Sequence, residues 1–206
     1  MDLKGISPFT GKPIQLIISG SHIAGSEIPD SLPEEAGYLC PGFIDLQVNG
    51  CLGADYSAEE FEADHVRVIV EKLASTGTTR HLPTMISSSQ ERILRNLAII
   101  RAARDNDNLL HAAIPGVHIE GPYISELDGY RGVHDSLYIR NPEISEYREW
   151  QVASDNLVSL VTLAPERPGA IEFIEEVASD GVVVALGHTA ASGEIIRRAV
   201  SAGARL

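Results

Sequence analysis

Hydrophobic and polar positions follow two different periods along most of this chain. Between segments of helical period, apolar and β-branched runs predict five strands, over residues 39–48, 78–86, 114–120, 157–163 and 182–186. Apolar residues spaced three and four positions apart predict the helices, over residues 66–73, 93–101, 171–177 and 195–200. Strands that alternate with helices in this way are typical of βα units and a parallel sheet.

Local signals support several of these elements. Ser192 can cap the last predicted helix, which then ends at Gly203. Residues 182–186 are apolar throughout, which is typical of a strand whose sheet is covered by helices on both faces. After Gly203 the sequence looks like the beginning of a sixth strand.

The N-terminal segment has a different pattern. Short β-rich runs at residues 14–18 and around Ile23, with Gly20 between them, predict hairpins of a small β-layer. Pro33 and Gly37 then mark a turn into the main domain. We therefore predict one domain over residues 1–37 and a second over residues 38–206.

Polar side chains with possible chemistry stand at the carboxyl ends of the predicted strands: Gln47, Asn49, Thr84, Glu120, Glu166 and His188. In a (β/α)8 TIM barrel the active site is built at this end of the strands. An open doubly wound sheet also binds ligands there, but no GxGxxG or P-loop pattern follows a strand in this sequence. The pattern therefore favours a partial TIM barrel with about five of the eight βα units of this fold. We expect either a fragment of a longer barrel or a chain whose missing wall a partner supplies, and favour the fragment.

The segment 116–123 contains the first pair of candidate metal ligands. Because side chains alternate in a strand, His118 and Glu120 share one face. Burying a carboxylate is costly unless a cation or strong donors meet it. His188 follows another strand and Gly187, so Glu120 and His188 together predict a metal site. The alternatives are a Glu120 that reaches water and a His188 that is merely hydrogen-bonded.

Charge and composition exclude some classes of partner. The net charge of −13 argues against nucleic acid or an acidic membrane surface as a partner. Cys40 and Cys51 are too few and too far apart for a zinc knuckle or a disulfide framework. The sequence shows no signal peptide and no run of ~18 apolar residues, so we expect a cytoplasmic protein.

Six segments of the chain match a known family in order and rough spacing. They are residues 41–50 (PGFIDLQVNG), 77–79 (GTT) with 82–84 (LPT), 116–123 (GVHIEGPY), 131–134 (RGVH), 163–166 (LAPE) and 186–189 (LGHT). On these motifs the chain resembles the N-acetylglucosamine-6-phosphate deacetylases of the amidohydrolase superfamily. The resemblance implies a metal-dependent TIM barrel with a small β-sandwich, of which residues 1–37 would form part.

The resemblance also implies roles for particular residues. Glu120 and His188 would be metal ligands, and the Val133 main chain and His134 would contact an amino-sugar phosphate. Many amidohydrolases have two histidines where this chain has Gln47 and Asn49, and neutral amides are poor zinc ligands compared with imidazole. We therefore expect one divalent ion, zinc or else iron, and expect Gln47 and Asn49 to hydrogen-bond its water or a neighbouring ligand.

Other implications concern groups around this centre. His118 is expected either to orient Glu120 or to be a hydrogen-bonded barrel histidine, and Glu166 to close a strand or form a salt bridge. The general base of the family, an Asp on the eighth strand, and a third metal ligand would lie beyond Leu206. We therefore expect no catalytic residue within 1–206, and no glucosamine 6-phosphate release by this polypeptide alone.

The resemblance implies hydrolysis of the sugar's acetamide by a homodimeric enzyme of amino-sugar catabolism. Two other functions stay open. One is a different amidohydrolase reaction on the same barrel, against which Gln47 and Asn49 argue. The other is a non-catalytic remnant, or half of a split protein, that binds a sugar phosphate.

Overall fold

The computed structural model describes residues 1–206 as two units, Met1–Gly42 and Phe43–Leu206. The first unit is an antiparallel sheet of three strands in chain order: β1 (Asp2–Ile6), β2 (Pro13–Ser19) and β3 (His22–Glu27). This sheet forms the small β-layer that the hairpin signals predict. The second layer of a sandwich is not confirmed by these residues and stays a prediction.

The division between the units falls five residues after the boundary of 37/38 expected from the sequence. The reason is main-chain pairing at the end of the first unit. Ile6 donates its N–H to the carbonyl of Gly37 at 3.0 Å and accepts from the N–H of Leu39 at 2.9 Å. Residues 37–39 therefore extend the sheet before the chain passes into the second unit.

The second unit is built on a curled parallel sheet of five strands. These are β4 (Phe43–Val48), β7 (Thr78–Met85), β8 (Val117–Glu120), β9 (Val158–Leu163) and β10 (Val183–Leu186), which are neighbours in that order. Two short strands, β5 (Gly50–Cys51) and β6 (Ala54–Asp55), form a small hairpin after β4. The α/β class and the parallel order predicted from the sequence are confirmed, and the sheet matches part of a TIM barrel.

Helices connect the strands of this sheet. They are α1 (Ala63–Ser75), α2 (Gln90–Asp105), α3 (Asn108–Ala113), α4 (Ile144–Ser154), α5 (Ala170–Ser179) and α6 (Gly193–Ala202). Ser192 caps α6 as predicted, because its Oγ accepts a hydrogen bond from the N–H of Ile195. No helix combines the length and the apolar composition that crossing a membrane requires.

Helices α3 and α4 were not predicted from the sequence. Helix α3 has six residues, which is too short for a period of 3.6 to show. Helix α4 faces the core through Tyr147, Trp150 and Ser154 rather than through branched aliphatic residues. A pattern built on Val, Ile and Leu therefore misses it.

The sheet is covered on both faces at its centre but not at β4. All four residues of β8 are buried, whereas Phe43 and Ile44 of β4 remain 66% and 62% exposed. Strand β4 is last in the sheet order and has a pairing partner on one side only. At the other edge, Arg205 donates its N–H to the carbonyl of Val184 at 2.9 Å, so residues after α6 begin to pair with β10, as expected for a sixth strand.

The side chain of Trp150 is the largest in the core and ties α4 to its neighbours. It is fully buried, stacks on Tyr123 with 5.5 Å between ring centroids, and donates Nε1–H to Gln90 Oε1 at 2.8 Å. We expect Trp150→Ala to lower the free energy of unfolding by about 3–5 kcal/mol, measured by urea denaturation. Val152→Ala on the same helix, where Val152 is 79% exposed, should change it by less than about 0.5 kcal/mol. Equal effects of the two changes would contradict this packing.

Candidate metal centre

Two of the predicted ligands meet at the carboxyl edge of the parallel sheet. Glu120 is the last residue of β8, and His188 is the second residue after β10. Glu120 Oε1 lies 3.1 Å from His188 Nε2, and the Glu120 side chain is largely buried. The structure therefore brings this pair together across 68 residues of sequence.

Hydrogen bonding determines which nitrogen of His188 faces Glu120 as an acceptor. His188 Nδ1 lies 3.1 Å from the main-chain oxygen of Tyr130, which can only accept, so Nδ1 must carry a proton. In the neutral ring Nε2 then presents a lone pair to the carboxylate of Glu120. Two acceptors at this distance repel unless a proton or a cation lies between them. Carboxylate and imidazole are also ligands that zinc prefers, so this pair fits a divalent metal ion.

His134 is the third side chain at this point. It is buried, its Nε2 lies 4.0 Å from Glu120 Oε2, and its ring packs edge-on to that of His188 with 4.4 Å between centroids. One potential ligand atom from each of the three residues lies within 4.8 Å of the others. Burial lowers the pKa of His134, the neighbouring His188 lowers it further, and Glu120 opposes both. The surroundings of His134 therefore favour its neutral form.

These residues open into a pocket of about 340 Å³, a size suited to a small molecule. The other residues predicted from the sequence to contact metal, water or substrate line it as well: Gln47, Asn49 and Val133. Val133 is 91% exposed, so its side chain is free of the core. A larger groove of about 540 Å³ lies beside α4 and β9, but its lining contains no histidine or cysteine.

His118 does not hydrogen-bond Glu120, although the two share a strand face. His118 Nε2 lies 2.7 Å from Thr162 Oγ1, and its Nδ1 lies 3.3 Å from Thr84 Oγ1. Burial lowers the pKa of His118 to about 4, with Glu120 opposing the change. These contacts are those of a hydrogen-bonded barrel histidine, the alternative that the sequence left open.

Glu166 supports the loop that carries His188. Its Oε1 accepts the N–H of Ala190 at 2.7 Å, and its Oε2 accepts a short hydrogen bond from the hydroxyl of Thr189. The sequence predicted a strand closure or a salt bridge for this residue, and the structure shows hydrogen bonds to the following loop instead. His188 lies in this loop with a φ of 50°, a left-handed backbone conformation that residues other than glycine adopt only when their surroundings hold it.

We expect Glu166→Gln to weaken zinc binding by the 1–206 chain about tenfold, because the amide retains only one of the two accepting oxygens that hold the His188 loop. Isothermal titration calorimetry measures the dissociation constant. Glu175→Gln, at an exposed position of α5, is the matched control and should leave it unchanged. A tenfold loss in both variants would indicate a general charge effect and contradict the role of Glu166.

Two residues of the centre were not anticipated from the sequence. The carbonyl of Tyr130 selects the tautomer of His188, and Ser87, just after β7, contacts His134. Ser87 could have been found from the sequence, because it is a polar residue directly after a predicted strand. Tyr130 contributes through its main chain, so its side-chain identity carries no such signal.

Comparison with known proteins identifies relatives of this chain. N-acetylglucosamine-6-phosphate deacetylase of Mus musculus is 36% identical over 169 residues, which are 81% of this chain and 40% of the relative. The enzyme of the same name from Bacillus subtilis (strain 168) is 31% identical over 168 residues, 81% of this chain and 41% of the relative. The chain thus spans about two fifths of the length of these curated relatives. No protein-family model matches the sequence.

Comparison with solved structures identifies enzymes of the same name. The crystal structure of N-acetyl-D-glucosamine-6-phosphate deacetylase from Mycobacterium smegmatis superposes with a TM-score of 0.84 at 27% identity, over 99% of this chain and 54% of that one. A mutant of the same enzyme in complex with N-acetyl-D-glucosamine-6-phosphate gives 0.82 at 29% identity, with the same coverage. The resemblance predicted from the six motifs is confirmed.

Proposed function

The chain is homologous to the N-acetylglucosamine-6-phosphate deacetylases, and we propose that it carries the metal-binding part of such an enzyme. The reaction is hydrolysis of the acetamide of N-acetylglucosamine 6-phosphate to glucosamine 6-phosphate and acetate. The observation that carries the proposal is the 3.1 Å approach of Glu120 to His188 at the carboxyl ends of two parallel strands. Barrel enzymes build their active sites at the carboxyl ends of their parallel strands.

The metal is part of the proposal. Glu120 and His188 would hold one divalent cation, with zinc the first candidate because its usual ligands are imidazole and carboxylate. When bound, such an ion polarises an amide carbonyl and lowers the pKa of a water molecule. Gln47 and Asn49, on the pocket wall, have amide groups that can hydrogen-bond this water or a ligand.

The chain's own residues bind and orient the substrate in this proposal. The Val133 main chain and His134 contact the amino-sugar phosphate, which is supported by their place on the pocket wall beside Glu120. Glu120 is largely buried, which strengthens each polar contact that its carboxylate makes. The proposal assigns no general base to residues 1–206. A homodimeric assembly and a cytoplasmic location also belong to it, and both depend on the family resemblance.

The test is acetate release from N-acetylglucosamine 6-phosphate by the complete product of the gene that encodes this chain. We expect chelation to abolish turnover and added zinc to restore it. We also expect turnover to fall by more than about 100-fold in Glu120→Gln and in His188→Gln, because removing a metal ligand costs more than removing a residue that only supports one. Glu172→Gln, exposed on α5, is the control. Turnover that survives chelation and both substitutions would overturn the proposal.

A further inference from the structure

His134 is held on one side by Ser87. Ser87 donates its main-chain N–H to His134 Nδ1 at 3.3 Å, and its Oγ lies 2.7 Å from the same nitrogen. Both residues are buried. The ring of His134 is therefore anchored through Nδ1, while Nε2 points toward Glu120.

The main-chain amide decides the tautomer of His134. An amide N–H can only donate, so Nδ1 must accept and must lack a proton. The Ser87 hydroxyl can rotate to donate to the same nitrogen. In the neutral ring the proton then resides on Nε2. This is the reverse of His188, where the carbonyl of Tyr130 requires the proton on Nδ1.

Gly121 leaves the space for this arrangement. A Cβ at Gly121 would lie 2.4 Å from Ser87 Oγ and 3.6 Å from His134 Nδ1, and its φ of 75° already disfavours a side chain. The close approach of this glycine, directly after Glu120, allows the hydroxyl and the imidazole to touch. The segment Glu120–Gly121 therefore supplies the carboxylate and also leaves the space in which Ser87 contacts His134.

We propose that Ser87 is a positioning residue: its amide and hydroxyl hold His134 with Nε2 protonated, which makes His134 a hydrogen-bond donor and keeps it outside the metal coordination sphere. This proposal rests on the proposed function, because it assigns His134 to the substrate of the same site. The cluster of three potential ligands is thereby divided. His188 offers a lone pair to a cation, and His134 offers a proton to an acceptor oxygen of the bound ligand.

Zinc affinity of the 1–206 chain separates the two histidines. Glutamine places an amide nitrogen near the position of Nε2 and retains a donor, but it is a poor zinc ligand. We expect His134→Gln to change the zinc dissociation constant by less than about threefold and His188→Gln to raise it more than about 100-fold. A loss in His134→Gln as large as in His188→Gln would overturn the inference. No loss in either variant would instead refute the metal centre itself.

Nitrogen-15 NMR of the same chain reads the tautomer directly. The signals of His134 are assigned by their absence in His134→Gln. We expect a protonated Nε2 and an unprotonated Nδ1, unchanged when zinc is added, while the signals of His188 shift. A proton on Nδ1 of His134, or loss of the Nε2 proton on zinc addition, would overturn the inference.

The role of the Ser87 hydroxyl is tested in the same spectra. We expect Ser87→Ala to raise the solvent exchange rate of the His134 Nε2 proton about fivefold, since one of two hydrogen bonds to the ring is lost. Ser88→Ala is the matched control, because Ser88 is a buried neighbour whose hydroxyl has no partner. Equal exchange rates in the two variants would show that the hydroxyl does not position the ring.

Discussion

Replacing Glu120 with glutamine is expected to weaken zinc binding by the 1–206 chain more than about 100-fold. Even partners that only orient a ligand cost 10–100-fold when they are removed, and Glu120 is proposed as a ligand itself. Glutamine has nearly the same shape but is neutral, so it removes the charge with little change in packing. Its side-chain amide would still lie 3.1 Å from His188, now without a carboxylate to attract a cation. Competition with a chromophoric chelator measures the dissociation constant.

Two controls sharpen this measurement. Glu172→Gln removes the same charge from the exposed face of α5 and should bind zinc as the original chain does. Circular dichroism of Glu120→Gln should show an intact fold, so that lost binding is not lost structure. If Glu120→Gln binds zinc within about threefold of the original chain, the assignment of this carboxylate to the metal is wrong.

The second large effect is acid destabilisation through His81. This histidine is buried, and its Nε2 lies 2.9 Å from the hydroxyl of Tyr56. Burial lowers the pKa of His81 to about 4, although the charge of Asp45 opposes the change. The folded state therefore favours the neutral ring. The unfolding free energy that the neutral His81 contributes is complete above the unfolded pKa of about 6.5 and is lost as the pH falls from there toward 4.

The expected size follows from the two pKa values. Between pH 7 and pH 4 the shift corresponds to about 3 kcal/mol of unfolding free energy. We expect the original chain to lose about this much more stability than His81→Gln over that range, measured by urea denaturation at each pH. His22→Gln, at an exposed position of the first unit, should follow the original chain at every pH. If the unfolding free energies of the original chain and of His81→Gln fall equally with pH, the burial of a neutral histidine is contradicted.

The parallel sheet was predictable because its strands are short apolar runs with a clear boundary at each carboxyl end. All five barrel strands fall within the predicted runs: four of them begin one to four residues later than predicted, and β7 ends one residue earlier. The start of β4 was placed four residues early, because apolar residues alone cannot show where pairing begins. Helix α4 was missed because its buried face uses aromatic residues, which are typical of strands as well as helices.

The candidate site was predictable in part. Glu120 and His188 were paired from their positions at strand ends, and a parallel sheet brings such ends to one edge. The tautomers were not predictable, since they depend on the Tyr130 carbonyl and the Ser87 N–H, which are main-chain groups and carry no side-chain signal. The support of the His188 loop by Glu166 also depends on loop geometry that periodicity does not encode.

The central claim is that Glu120 and His188 hold one divalent cation. X-ray diffraction from crystals of the 1–206 chain grown with zinc, recorded at the zinc absorption edge, tests it most directly. We predict one strong anomalous peak about 2.0–2.2 Å from both His188 Nε2 and a carboxylate oxygen of Glu120, with His134 Nε2 outside bonding distance. A fully occupied zinc ion elsewhere in the chain, with none between these two side chains, would contradict the account.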